Sequence, residues 1–233
     1  MVITVANIIK QVRWCIDEEA VNIASLAGID ENDDAYMDNI IRSKVYDAMR
    51  WCLQYAPVDL LSSDGSSAGT NPTLVTSSDL TIGSGSVTAG NPTVVTLPSG
   101  FQRLVRVRLN GWKKAVRVPI EEDSDKYIEL SDDTATATQN RPVAAIIRTD
   151  PLKLELWPGG STGNIIQISY VNYPDFGTES ITASDDATTT LYIPDKLRSA
   201  YLYYIAFLVM AAYGDNRASV MLSIAKMNLG LTE

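Results

Sequence analysis

Histidine is absent from all 233 positions of the sequence. It is the usual general acid and base of enzymes, the base of serine and cysteine triads, and the commonest metal ligand. Its absence therefore excludes triads that depend on histidine and all histidine acid–base catalysis. No cofactor or metal ion is expected.

Cysteine is nearly absent as well. The two that occur, Cys15 and Cys52, fall at apolar positions of predicted helices, and no secretory leader precedes them. We expect reduced thiols in the core, with a disulfide between the two helices as the alternative.

Long apolar runs are missing too. The longest, from Ala200 to Tyr213, falls short of the roughly 20 residues that span a bilayer. It predicts a helix buried on all sides. The first residues lack the basic start and cleavage site of a signal peptide and lead into an amphipathic pattern, so we expect structure there rather than a leader.

Positive charge is scarce, with 19 Lys and Arg against 28 Asp and Glu, for a formal net charge of -9. Binding of nucleic acid or a membrane surface by the whole molecule needs the opposite balance. Any such role has to be local. The 45% of hydrophobic residues is typical of a folded protein with a sizeable core.

Helical periodicity occurs at the two ends of the chain. Apolar residues at i, i+3, i+4 and i+7 follow Thr4, an N-cap candidate, and a second helix runs to Pro57, which stops it. A third begins at Pro194 and ends at Gly214, and a fourth ends at Gly230.

Between the helices the period changes to two, which predicts strands. Three of these, "VAAIIRT", "LKLELW" and "IIQISYV", read as a meander, and the stretch 61–100 is rich in Ser, Thr and Gly. The predicted fold is α+β: a four-helix bundle from residues 1–60 and 194–233, with an inserted antiparallel β-sandwich or barrel at 61–193.

The most distinctive segment is residues 101–118, "FQRLVRVRLNGWKKAVRV", which has six cations and no acid. Asn110-Gly111 favours a two-residue type I′ hairpin turn. That register places Leu109 opposite Trp112 and Arg108 opposite Lys113. The predicted core face is Val105, Val107, Leu109, Trp112, Val116 and Val118, with Arg103 and Lys114 as the charged exceptions on it. The opposite face carries Arg106, Arg108, Lys113 and Arg117.

An acidic loop, Glu121, Glu122, Asp123 and Asp125, follows the hairpin at once. The basic face is either solvated or binds carboxylates, and the loop is the nearest source of these. It would fold back on its own hairpin or meet the hairpin of a neighbouring copy in a ring. DNA phosphate ranks third as a partner. A site in which these acids hold Mg²⁺ for hydrolysis ranks last among the functions.

Three stretches carry a family resemblance: "LPSGFQRLVRVRLNGWKKAVRVPIEEDSDKY", "QNRPVAAIIRTDPLKLELWPGG" and "LYIPDKLRSAYLYYIAFLVMAAYGDNRASVMLSIAKMNLG". They resemble the head-to-tail adaptor, or ring, proteins of tailed phages, most closely those of crAss-like phages. The similarity in layout extends over almost the whole chain. The Ser/Thr/Gly-rich stretch at 61–100 departs from it.

The resemblance implies a structural virion protein, not an enzyme, that is assembled in the infected host cytoplasm. It implies a homo-oligomeric ring of twelve copies, with the portal protein above and further ring or tail proteins below. Genomic DNA would pass through the channel without sequence-specific binding, and no membrane would be involved. The predicted interface residues are the basic face of the hairpin and the acidic loop.

The alternative is a carbohydrate- or receptor-binding β-module of a virion, favoured by the Ser/Thr/Gly-rich loops and by Trp112 and Trp157. It predicts aromatic side chains exposed in a shallow groove, whereas an adaptor packs Trp112 in its core.

Overall fold

The computed structural model describes residues 2–16, 31–61, 74–81, 87–88, 91–132, 136–161, 165–173 and 181–231. The chain divides into two compact units. We call Met1–Thr73 with Pro174–Glu233 the helical unit, and Leu74–Tyr173 the β unit.

Most helices lie near the two ends of the chain, and most strands lie between them. The helices are α1 (Val5–Ile16), α2 (Glu31–Tyr55), α3 (Asp125–Ser131), α4 (Arg198–Ala212) and α5 (Ala218–Asn228). The strands are β1 (Val2–Thr4), β2 (Leu74–Thr81), β3 (Val87–Thr88), β4 (Thr93–Thr96), β5 (Phe101–Leu109), β6 (Ile120–Glu121), β7 (Val143–Ile147), β8 (Lys153–Trp157), β9 (Ile165–Asn172) and β10 (Thr190–Tyr192). The mixed α+β class predicted from the sequence is confirmed.

Helix ends in the helical unit follow local chemistry. The Asn7 N–H donates to the Thr4 hydroxyl at 3.3 Å, which satisfies a donor at the start of α1. Gly214 and Gly230 stop α4 and α5 with φ of +69° and +72°, a conformation that side chains with a Cβ rarely adopt. Asp215 accepts from the Arg217 N–H at 2.8 Å just before α5.

The core of the helical unit forms around α4, which packs against α1, α2 and α5. Tyr201 is fully buried, and its hydroxyl donates to the Val45 carbonyl at 3.1 Å. The prediction that this helix is buried on all sides is wrong, since Tyr203, Tyr204 and Phe207 remain only half-buried. None of the described helices is long and apolar enough to cross a membrane.

Both thiols are free, and the disulfide alternative is wrong. Cys52 is fully buried in α2, whereas Cys15 is half-buried in α1. Burial raises the pKa of each thiol, because a thiolate loses hydration in an apolar surrounding.

A buried ion pair links α2 to the segment that leads into β10. Arg42, 7% exposed, donates from Nε to Asp186 Oδ1 at 2.7 Å and from Nη2 to Oδ2 at 2.5 Å. Its Nη1 donates to Asn39 Oδ1 at 2.7 Å. The Asp186 carbonyl also accepts from the Ala6 N–H at 2.9 Å. The Arg42–Asp186 pair thus connects α2, the start of α1 and the chain returning from the β unit.

The β unit contains a three-stranded sheet, in the order β2-β9-β5, and a five-stranded sheet, in the order β3-β4-β8-β7-β6. Side chains from both form a single hydrophobic core that includes Leu104, Leu154, Leu156 and Ile166. The described strands form no closed barrel, so that alternative is wrong, and the sandwich stays a prediction.

Two further expectations for the β unit are wrong. The pairing is not wholly antiparallel, because β6 runs parallel to β7. The meander breaks after β8, since β9 pairs with β2 and β5 in the other sheet. Ile166 and Ile168 of β9 are buried in the core that the two sheets share. The apolar pattern of β9 would be buried equally well in either sheet, so it does not determine which sheet the strand joins.

Candidate interaction surface

Strand β5 departs from strict alternation because its register against β9 shifts twice, between Phe101 and Arg103 and again between Leu104 and Arg106. A bulge of this kind inserts one residue and turns the following side chains to the other face. Leu104 and Val107 are therefore both buried.

The bulges settle which side chains enter the core from β5. Val105, predicted to be in the core, is only half-buried, whereas Arg106 and Arg108 are exposed as predicted. Arg103 is half-buried, and burial lowers the pKa of its guanidinium.

The predicted turn at Asn110-Gly111 forms. The Trp112 N–H donates to the Leu109 carbonyl at 3.0 Å, and Gly111 has a φ of +92°. The expected second strand does not form, however. One isolated bridge joins Val107 to Val116, two residues away from the register that a two-residue hairpin requires.

The reason for the lost strand lies beside the turn. The Lys113 N–H donates to the Gln139 carbonyl at 2.8 Å instead of continuing a ladder with β5. The Trp112 ring enters the core with 2% exposure, and its Nε1 donates to the Pro158 carbonyl at 3.1 Å. Val118, predicted to be in the core, is 81% exposed.

We define the basic surface as Arg106, Arg108, Lys113 and Arg117, all of which are exposed. The Val107–Val116 bridge puts Arg106 and Arg117 at neighbouring positions of the same register. Arg108 donates from Nε to the Trp112 carbonyl at 3.1 Å. Arg106, Lys113 and Arg117 form no ion pair with any residue that the structure describes. Clustered like charges of this kind favour a bound anion or neighbouring carboxylate.

The acidic loop makes its described contacts elsewhere. Glu121 Oε2 lies 3.0 Å from Arg148 Nη2, and the Arg148 N–H donates to Glu122 Oε2 at 3.3 Å. Arg148 follows β7, and the parallel pairing of β6 with β7 brings it to the loop. The sequence carried no local signal for this partner, because the pairing joins segments 27 residues apart.

The remaining two acids of the loop stay exposed. Asp123 lies in the turn, and Asp125 begins α3, where Ser124 Oγ accepts from the Tyr127 N–H at 3.3 Å. Across the described ranges of the chain, no three Cys, Asp or Glu side chains gather in a way that could hold a metal ion.

Charge is divided unequally between the two units. The sequence of the β unit contains ten Lys and Arg and ten Asp and Glu, so it is formally neutral. The helical unit therefore carries the whole net charge of -9. The basic surface is a local cluster in a neutral unit, whereas the acidic excess belongs to the helical unit as a whole.

Comparison with known proteins supports one family. Residues 66–233 match the family model described as SU10 adaptor protein, which covers the whole β unit from β2 onward together with α4 and α5. A search of curated proteins finds no match. Trp112, which a sugar-binding groove would have exposed, is instead part of the core. Since the family model matches well over half of the chain, the chain belongs to the SU10 adaptor protein family and is a phage adaptor protein.

Proposed function

We propose that this adaptor protein forms an oligomeric ring that joins the portal to the tail and continues the DNA channel. The observation that carries the proposal is the family match over residues 66–233. We further propose twelve copies, with the portal protein above and ring or tail proteins below, and a relationship to the ring proteins of crAss-like phages. The virion is assembled in the host cytoplasm, and the protein acts in the virion as a structural component and not as an enzyme.

The charge distribution supports this role. A channel that conducts DNA benefits from a wall of like charge, because attraction would hold the polymer back. The acidic helical unit suits such a wall, and the genome would pass without sequence-specific contacts.

The basic surface suits a contact between copies. Among the described residues, its four cations pair with no carboxylate, neither in the acidic loop nor elsewhere. Asp123 and Asp125 of the acidic loop are exposed in the same chain. In a head-to-tail ring, the acidic loop of one copy would meet the basic surface of the next.

Imaging tests the ring directly. The purified chain, alone and mixed with the portal protein of the same virus, is examined by negative-stain electron microscopy. We expect ring density for this chain, stacked on the portal in the mixture. A portal complex with no ring density for this chain would contradict the proposal.

Charge reversal tests the basic surface. Arg106→Glu and Lys113→Glu, made singly, are expected to weaken ring assembly or portal docking on the order of tenfold, since each places like charges together at the contact. Both side chains are exposed, so the melting temperature should stay unchanged. Assembly is measured by sedimentation velocity at low and high salt.

Arg141→Glu is the matched control, because it makes the same change of charge at an exposed position of the same unit. It should assemble like the wild type. Unaltered assembly of the Arg106 and Lys113 variants would mean that the basic surface faces only solvent.

A further inference from the structure

The helical unit carries a groove of about 450 Å³ between α1, α4 and α5, which is lined by apolar side chains together with Gln11, Cys15 and Arg198. Its lining includes Trp14, Leu202, Tyr203, Met221 and Ile224. Trp14 is 51% exposed, which is unusual for a side chain of this size. A volume of this order accommodates a few side chains of a partner. We call this surface the helical groove.

A second apolar surface lies on the same unit. Trp51 and Tyr204 stack with ring centroids 3.9 Å apart and an interplanar angle of 5°. Tyr55 and Phe207 extend the row, with centroids 5.7 Å from Trp51 and 5.4 Å from Tyr204. Tyr55 is 49% exposed, and the other three are half-buried. We call these four side chains the aromatic ridge.

The two surfaces face different ways. Leu202 lines the groove and Tyr204 belongs to the ridge, and both lie on α4. Successive helical residues are about 100° apart, so these two side chains leave the helix on nearly opposite sides. One unit therefore presents a partly apolar groove on one side and a row of aromatic side chains on another. A head-to-tail contact needs two such different surfaces, whereas a two-fold contact uses one.

The charges beside the two surfaces are complementary. Arg198 lines the groove and donates from Nη2 to Gln11 Oε1 at 2.8 Å. Asp47 lies one helical turn before Trp51 on α2, so it is on the ridge side. Its side chain is 56% exposed, and its one described ion pair is a long contact of 3.9 Å with Arg50 Nη1. Tryptophan, tyrosine and arginine are also the residues that contribute most to binding at protein interfaces.

We infer that the aromatic ridge of one copy seats in the helical groove of the next, with Asp47 facing Arg198, so that the helical units pack head to tail around the ring. This inference rests on the ring proposed above. It adds a second contact between copies, distinct from the basic surface and acidic loop of the β unit. The occupant of the groove is a second copy of this chain.

Two variants of the full chain test the pairing. Trp14→Glu disables the groove and Tyr55→Glu disables the ridge, and both positions are about half exposed, so circular dichroism should stay unchanged. Each variant alone is expected to lose ring formation under conditions in which the wild type assembles. Mixed in equal amounts, they should form dimers and stop there, because the intact ridge of one meets the intact groove of the other. Mass photometry counts the species.

Ser43→Glu adds the same charge at an exposed position of α2 and should form rings normally. Rings from both test variants would overturn the ridge–groove pairing while leaving the proposed function in place. Monomers alone in the mixture would also overturn it, since a head-to-tail contact requires rescue to the dimer. No ring from the wild type, with or without portal, would instead refute the proposed function, and the inference with it.

Discussion

Replacing Arg42 with alanine is expected to lower the free energy of unfolding by about 3 kcal/mol, because removing one partner of a buried ion pair leaves the other charge without compensation. The Arg42 side chain is 8% exposed and that of Asp186 is 20% exposed, so solvent screens the stranded carboxylate poorly. Loss of this side chain also frees the loop that holds the start of α1 through the Ala6 N–H. Urea unfolding followed by far-ultraviolet circular dichroism measures the change.

A matched control lies on the same helix. Arg50 contacts Asp47 at 3.9 Å, with both side chains about half exposed, and such surface pairs contribute less than about 1 kcal/mol. Arg50→Ala should therefore cost far less than Arg42→Ala. Equal effects of the two would mean that the Arg42–Asp186 pair does not stabilise the helical unit.

Replacing Trp112 with alanine is expected to cost about 3–5 kcal/mol, the usual range when a large buried aromatic side chain leaves a cavity. The ring is 2% exposed in the core of the β unit, and its Nε1 loses the bond to the Pro158 carbonyl. Relative to the wild type, the variant should show a larger increase of amide hydrogen exchange in β5 and β8 than in α4. Thermal and urea unfolding give the magnitude.

Trp112→Phe separates the two contributions in part, since it keeps the larger share of the apolar contact while it removes the donor, whose bond is worth about 1 kcal/mol, and one ring of the indole. Val118→Ala, at an 81% exposed position nearby in sequence, should leave stability unchanged. A Trp112→Ala variant as stable as Val118→Ala would show that the ring is not part of the core, and would revive the sugar-binding alternative.

Much of the candidate site was predictable from local pattern. Arg106, Arg108, Lys113 and Arg117 are all exposed, as predicted, although Lys113 and Arg117 do not lie on a strand. Their partners were not predictable. The Glu121–Arg148 pair depends on β6 lying parallel to β7, which no spacing in the sequence reports.

The fold shows the same division. Histidine content, net charge, the four terminal helices and their glycine stops follow from the sequence alone, because composition and the 3.6-residue period are local properties. Pairing of β9 with β2 and β5 and the two register shifts of β5 were decided only by the tertiary structure. So was the link between Arg42 and Asp186, 144 residues apart. The period of the apolar residues indicates which side of a helix or strand is buried. It does not indicate which neighbouring element covers that side, because several could do so, and only the packing of the whole chain selects one of them.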